Sequence, residues 1–264
     1  MKIYILSENT AVSPEFGAEH GLSMYIEALG KKILFDTGAG SLFAENAAKL
    51  GVDLSQVDLV VLSHGHSDHG GGLQKFLELN SKAKIYVAKT AFDKHYNDSD
   101  KDISVAPELL ASGRFVIAEE KLVLAEGIEL EPLAIAQPKY KINTYGLQME
   151  KDGKLVPDDF LHEQYLTIIE NGKRIVFSGC SHRGILNIMN WLKPDIVVGG
   201  FHFFKLEVAD NVMDREYLLG AAKLLQEANC SYYTCHCTGL PQFAFLKQSV
   251  KDLEYVSAGS VMEI

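Results

Sequence analysis

The chain of 264 residues contains no apolar run that approaches the ~18 residues a helix needs to cross a bilayer, which argues against a membrane-spanning segment. Its opening stretch, MKIYILSENT, lacks the basic segment, apolar core and small-residue cleavage site of a secretory leader, so a cytoplasmic location is expected. Cysteine is scarce: Cys180, Cys230, Cys235 and Cys237 all fall in the C-terminal third. A cytosolic chain of this length gains little from disulfides, so these are expected as thiols, some of them near metal. Basic residues are outnumbered by acidic ones, the formal net charge is -10, and no basic stripe is visible. A phosphate backbone would be repelled, which leaves a small molecule, and neither nucleic acid nor membrane, as the expected partner. No low-complexity tract and no internal period interrupts the sequence, and 47% of residues are apolar. One folded domain over 1–264 is therefore expected; nothing in the sequence reads out an oligomeric state.

What is present reads as sheet first and alternation later. KIYIL, LSMYIEAL and KKILFDTG suggest a strand meander, and SLFAENAAKLG a helix with Ser41 as cap and Gly51 as stop. VDLVVLS is a short continuous apolar run, as in a strand buried on both faces. The segment from about 89 to 159 is irregular and is expected to be an insertion lying over something. Asn171-Gly172 between β-rich runs signals a hairpin. Helices and strands then alternate: RGILNIMNWL, DIVVGGFHF, DREYLLGAAKLLQEA with Asp214 as cap, YYTCHC, LPQFAFLKQ and EYVSAG. Sheet with helices outside, compatible with a sandwich of two sheets, follows from that order.

The densest chemistry lies in SHGHSDHGGG, Ser63 to Gly72, immediately after the buried strand. His64 and His66 can face one space from an extended turn, and neutral imidazole is a good ligand for zinc, iron or manganese. Asp68 and His69 follow at once and can serve a second position. Two divalent ions about 3.5 to 4 Å apart can lower the pKa of a shared water and present hydroxide to an electrophile. Gly70, Gly71 and Gly72 would let backbone approach the ions. The alternative is a loop of exposed or core-satisfied histidines. One loop cannot close two coordination shells. Three later strand ends offer more ligands: Cys180 and His182 in FSGCSH, His202 in VVGGFH, and His236 in TCHCTG.

The run HxHxDH after a strand resembles the motif of the metallo-β-lactamase-fold superfamily, and ILFDTG resembles that fold's strand ending in Asp-Thr-Gly. The resemblance implies an α/β fold, an αββα four-layer sandwich of two facing mixed sheets with helices outside. It implies Asp36 as an outer residue that orients the metal loop. It further implies a dinuclear centre of two divalent ions, zinc first, with iron and manganese as alternatives. The implied ligands are His64, His66, Asp68, His69, His182 and His236, with Cys180 and His202 as further candidates. Asp68 and His182 are the expected catalytic residues. AEHGLSMYIE, SHGHSDHGGGL, SGCSHRGI, GGFHF and CHCTG, in this order, are similar to the subfamily typified by an archaeal dihydropterin synthase, whose members are often described only as metal-dependent hydrolases. The expected activity is hydrolysis of a small phosphoester, lactone or similar molecule. A pterin-type transferase and a non-catalytic ligand sensor are the alternatives. His20, Arg183, Lys139 and Tyr140 are the substrate-binding candidates, the last two with Lys141 in a lid from the irregular segment.

Overall fold

The computed structural model describes residues 1–132 and 137–264; the second half of the strand-like stretch IELEPLAIA lies outside the described residues. The meander forms as read: β1 (Lys2–Ser7), β2 (Ser23–Ala28) and β3 (Lys31–Phe35) pair antiparallel. After α1 (Leu42–Lys49) come β4 (Leu59–Val61), the short α2 (Ser67–Gly70), α3 (Leu73–Leu79) and β5 (Lys84–Ala88). β4 and β5 extend the sheet in parallel. β6 (His95–Tyr96), β7 (Phe115–Ala118), β8 (Leu122–Ala125), β9 (Ile128–Glu131), β10 (Gln148–Lys151) and β11 (Lys154–Pro157) follow. The last third runs β12 (Tyr165–Glu170), β13 (Lys173–Ser178), α4 (Ile185–Leu192), β14 (Ile196–Gly199), α5 (Val212–Glu227), β15 (Ser231–Thr234), α6 (Leu240–Lys247), β16 (Leu253–Tyr255) and β17 (Val261–Glu263).

These strands make two seven-stranded sheets, ordered β17-β1-β2-β3-β4-β5-β7 and β16-β15-β14-β13-β12-β9-β8, and a three-stranded sheet β11-β10-β6. Side chains alternate across each strand and sort into distinct cores. Ile3, Ile5, Ile33, Phe35, Leu59 and Val61 of the first sheet meet Ile175, Phe177, Ile196 and Val198 of the second in one cluster. Their neighbours Leu6, Leu34, Val60 and Leu62 point the other way, into a layer with Phe43 of α1 and Phe76 of α3. Val197 and Tyr232 point outward to Leu218, Leu225 and Leu246 of α5 and α6. Helix, sheet, sheet, helix is the resulting order of layers. Central strands covered on both faces explain why VDLVVLS and DIVVGG read as continuous apolar runs.

Three local expectations change. The 89–159 stretch is less of an insertion than its irregularity suggested: β7 edges the first sheet, β8 and β9 the second, and β6, β10 and β11 alone form the added cover. The cap of α5 is Asn211, whose side chain accepts from Met213 N and Asp214 N, and the helix starts two residues before Asp214. Ser41 precedes α1 without a capping bond from its side chain. No helix among the described residues is long and apolar enough to cross a membrane.

Candidate metal centre

The strands converge on one place. His64 and His66 leave the end of β4, Asp68 and His69 ride on α2, and Cys180 with His182, His202 and His236 follow the ends of β13, β14 and β15. Asp36, Ser181, His202 and His236 hold φ values of 59°, 58°, 55° and 47°, a left-handed conformation unusual for non-glycine residues and one that clusters at functional sites. All nine histidines of the chain belong to one continuous set of rings, with neighbouring centroids 3.9 to 5.0 Å apart.

Within that set the donor atoms form two groups. His64 Nε2 lies 3.3 Å from His182 Nε2, and His66 joins them with a ligand atom within 4.8 Å of both. Asp68 Oδ2, His69 Nε2 and His236 Nε2 are 3.7, 3.3 and 3.2 Å from one another. Ligands about 2.0 to 2.1 Å from a tetrahedral ion stand about 3.3 Å apart, so the spacing fits metal coordination. Cys180 Sγ is 3.3 Å from His69 Nε2 and close to His64 as well, a position between the two groups.

Hydrogen bonds determine which nitrogen of His64, His69 and His236 is free. Asp36 accepts from Ser63 N at 2.6 Å, from Ser63 Oγ at 2.7 Å and from His69 Nδ1 at 2.6 Å. Because Ser63 Oγ spends its proton on Asp36, it accepts from His64 Nδ1 at 2.8 Å. Both rings therefore carry hydrogen on Nδ1, and each, when neutral, turns a lone pair on Nε2 to the centre. His236 is set likewise: its Nδ1 donates to Asn9 Oδ1 at 2.7 Å, while its backbone N–H is held by Glu8 Oε1 at 2.6 Å. Glu163 accepts the backbone N–H groups of His182 and Arg183 at 2.7 and 3.0 Å, and Phe160 stacks on the His182 ring at 4.7 Å.

Burial, reinforced by neighbouring imidazoles, holds His64 and His182 well below the usual histidine range; burial does the same to His66, so these rings are neutral donors. Burial would raise Asp68, but His69 and His236 outweigh it and keep the carboxylate ionised. Burial would lower His69, yet Asp68 and Asp36 lift it to about 9. Two carboxylates thus draw positive charge into the centre, where a proton or a metal ion can supply it.

A cavity of about 420 Å³ opens over these donors. His66, Asp68, Cys180, His182, His202 and His236 form its floor; Ile103, Tyr145, Leu147 and Phe204 give apolar wall, and Lys101 and Lys205 cationic rim. His20 lines it beside Asp68, at 3.4 Å. His202 is buried with both ring nitrogens lacking a hydrogen-bond partner, and its ring stands 4.2 Å from that of His182. Three expected contacts are not brought to the cavity. The guanidinium of Arg183 packs over the Trp191 ring at 5.3 Å, since Arg183 opens the turn into α4 and faces that helix. Lys139 is exposed with its ammonium over the Tyr140 ring, and Tyr140 N donates to Asn187 Oδ1 on α4. The glycines also serve differently from expectation. A Cβ on Gly71 or Gly72 would strike the carbonyl oxygens of Ala39 or Thr37, so they admit the loop after β3. Ser63, Glu8, Asn9 and Glu163 were not singled out from sequence. The available signal for Ser63 was a polar residue just after an apolar strand.

The family model described as the metallo-beta-lactamase superfamily matches residues 16–202. An uncharacterised protein of Methanocaldococcus jannaschii is 32% identical over 99% of this chain and 100% of its own length. The 7,8-dihydropterin-6-methyl-4-(beta-D-ribofuranosyl)-aminobenzene-5'-phosphate synthase of the same organism is 30% identical over 100% of this chain and 96% of its own. The crystal structure of Tm1679, described as a metal-dependent hydrolase of the beta-lactamase superfamily, superposes with a TM-score of 0.83 at 29% identity, covering 100% of this chain and 99% of that one.

Proposed function

The chain belongs to the metallo-β-lactamase superfamily, and from that premise we propose that it is a metal-dependent hydrolase of a small molecule, a phosphoester, lactone or similar ester. The observation that carries this reading is the pair of three-donor groups, His64, His66 and His182, and Asp68, His69 and His236, that meet at one cavity lined by His66, His182, Asp68 and His236. When bound, two divalent ions supply Lewis acidity and make water acidic enough to act as nucleophile near neutral pH. Zinc suits the imidazole and carboxylate donors, as do iron and manganese.

The chain's own residues supply the remaining tasks. Asp36, Ser63 and Asn9 fix which ring nitrogens face the ions. Asp68 is the donor most open to the cavity, at 22% exposure, and sits where a reacting group would arrive. Lys101 offers a cation to an anionic substrate group, while the charge of Lys205 is offset by Asp98, which also lines the cavity and holds Lys205 Nζ at 2.7 Å. Tyr145 and Phe204 offer flat apolar surface to its uncharged part. A second reading is transfer, in which ions held by these residues would supply Lewis acidity to a diphosphate leaving group and an amine would replace water. The full-length similarity to a synthase and the aromatic wall favour it.

One assay separates these readings. Zinc-loaded protein is incubated with phosphomonoester, phosphodiester, diphosphate and lactone substrates, with and without an arylamine. Hydrolysis that disappears in His66→Ala and Asp68→Ala supports the first reading, and a product containing the amine supports the second. Full metal content with no turnover of any kind counts against both.

A further inference from the structure

The cover sheet reaches the metal centre through a buried group of its own. His95 from β6, and Asp158 and His162 from the loop between β11 and β12, are 0%, 3% and 1% exposed. Together with His66 they bring ring nitrogens and a carboxylate oxygen within 4.8 Å of one another. Three imidazoles and a carboxylate suggest a third metal site, but the hydrogen bonds point elsewhere. Gly65 N–H donates to His162 Nδ1 at 2.8 Å, which occupies that lone pair and leaves the neutral ring's proton on Nε2, 3.4 Å from Asp158 Oδ1. His95 Nδ1 lies 2.8 Å from Asp158 Oδ2 and is the donor there; its Nε2 faces the carbonyl oxygen of Thr90 at 3.4 Å. The His162 lone pair is thus spent on the Gly65 N–H, and His95 Nδ1 is spent on Asp158. Asp158, which also accepts from Phe160 N at 2.7 Å, is the anionic acceptor among these four residues.

His66 Nε2 is buried and has no hydrogen-bond partner. A histidine that binds metal through one ring nitrogen carries a proton on the other, and that proton usually goes to a carboxylate, a carbonyl or water. Resting on the reading of His66 as a metal ligand, we propose that Asp158 is its positioning residue: His66 binds its ion through Nδ1 and directs Nε2–H into the Asp158 carboxylate. Asp36 has the corresponding role behind His69. The consequence is that the three-stranded cover is part of the metal site. Its docking holds the carboxylate, and through His162 it also holds the Gly65 N–H inside the HxH turn.

The test uses two measurements on the full chain. Zinc affinity by chelator competition in Asp158→Asn is expected to fall about 10–100-fold for one ion of the pair and little for the other. A purely structural role would weaken both alike, and unchanged affinity for both ions overturns the proposal. If that variant does not fold, wild-type protein labelled with ¹⁵N-histidine and loaded with zinc decides the matter. The expected spectrum shows His66 metallated at Nδ1 with a slowly exchanging Nε2 proton. His66 metallated at Nε2, or an Nε2 proton in free exchange with water, overturns the proposal and leaves the metal reading intact. A His66 ring whose signals do not respond to zinc overturns the metal reading and the proposal with it.

Discussion

Asp36 controls two rings with one carboxylate. It takes the proton of His69 directly and that of His64 through Ser63, and it also holds the Ser63 backbone. Asp36→Asn is expected to lower zinc affinity about 10–100-fold, measured by chelator competition, because an amide presents a donor where these groups need an acceptor. His64, His66, Asp68 and His69 were legible in sequence as a cluster because three imidazoles and a carboxylate fall within six positions after an apolar strand. His182 and His236 were legible as histidines at strand ends. Glu8, Asn9 and Glu163 were not, since each acts on a backbone N–H or a ring that lies far away in sequence. Arg183 looked like an anion clamp from its place beside His182, but the chain direction into α4 turns it onto Trp191.

At the scale of elements, patterns of burial were easier to read than boundaries. The meander, the Asn171-Gly172 hairpin and the later alternation followed from periodicity and turn chemistry. The start of α5 did not, because Asn211 and Asp214 are both good capping residues and only backbone conformation decides between them. Asn211→Ala is expected to cost about 1 kcal/mol and lower the melting temperature by about 2–4 °C, measured by thermal denaturation. β7, β8 and β9 were read as parts of an insertion because each has only four residues, and β7 and β8 are half-exposed edge strands whose apolar signal is diluted. The cover strands β6, β10 and β11 carry the least apolar pattern, yet they deliver His95 and, just beyond β11, Asp158 and His162 to the centre.

For the whole molecule, the centre joins the two sheets. His64, His66, Asp68 and His69 come from the first sheet's side and His182 and His236 from the second, so ions held by the proposed centre would cross-link strand ends that otherwise meet through apolar packing. Phe35 and Phe177 make that packing across the interface, with ring centroids 6.0 Å apart, and Phe177→Ala is expected to destabilise the fold by about 3–5 kcal/mol in denaturant titrations. Chelation is expected to lower the melting temperature of the wild-type protein: zinc held at about 100 times its dissociation constant stabilises a site by about 2.7 kcal/mol. That stabilisation is expected to shrink in His66→Ala, with the metal-free melting temperature as the reference. The most direct measurement is the metal content of folded protein dialysed to equilibrium against buffered zinc. A dinuclear centre predicts two ions per chain in the wild type and loss of at least one in His66→Ala and in His236→Ala. A folded wild-type chain that retains less than one ion, or variants that keep both, would contradict it.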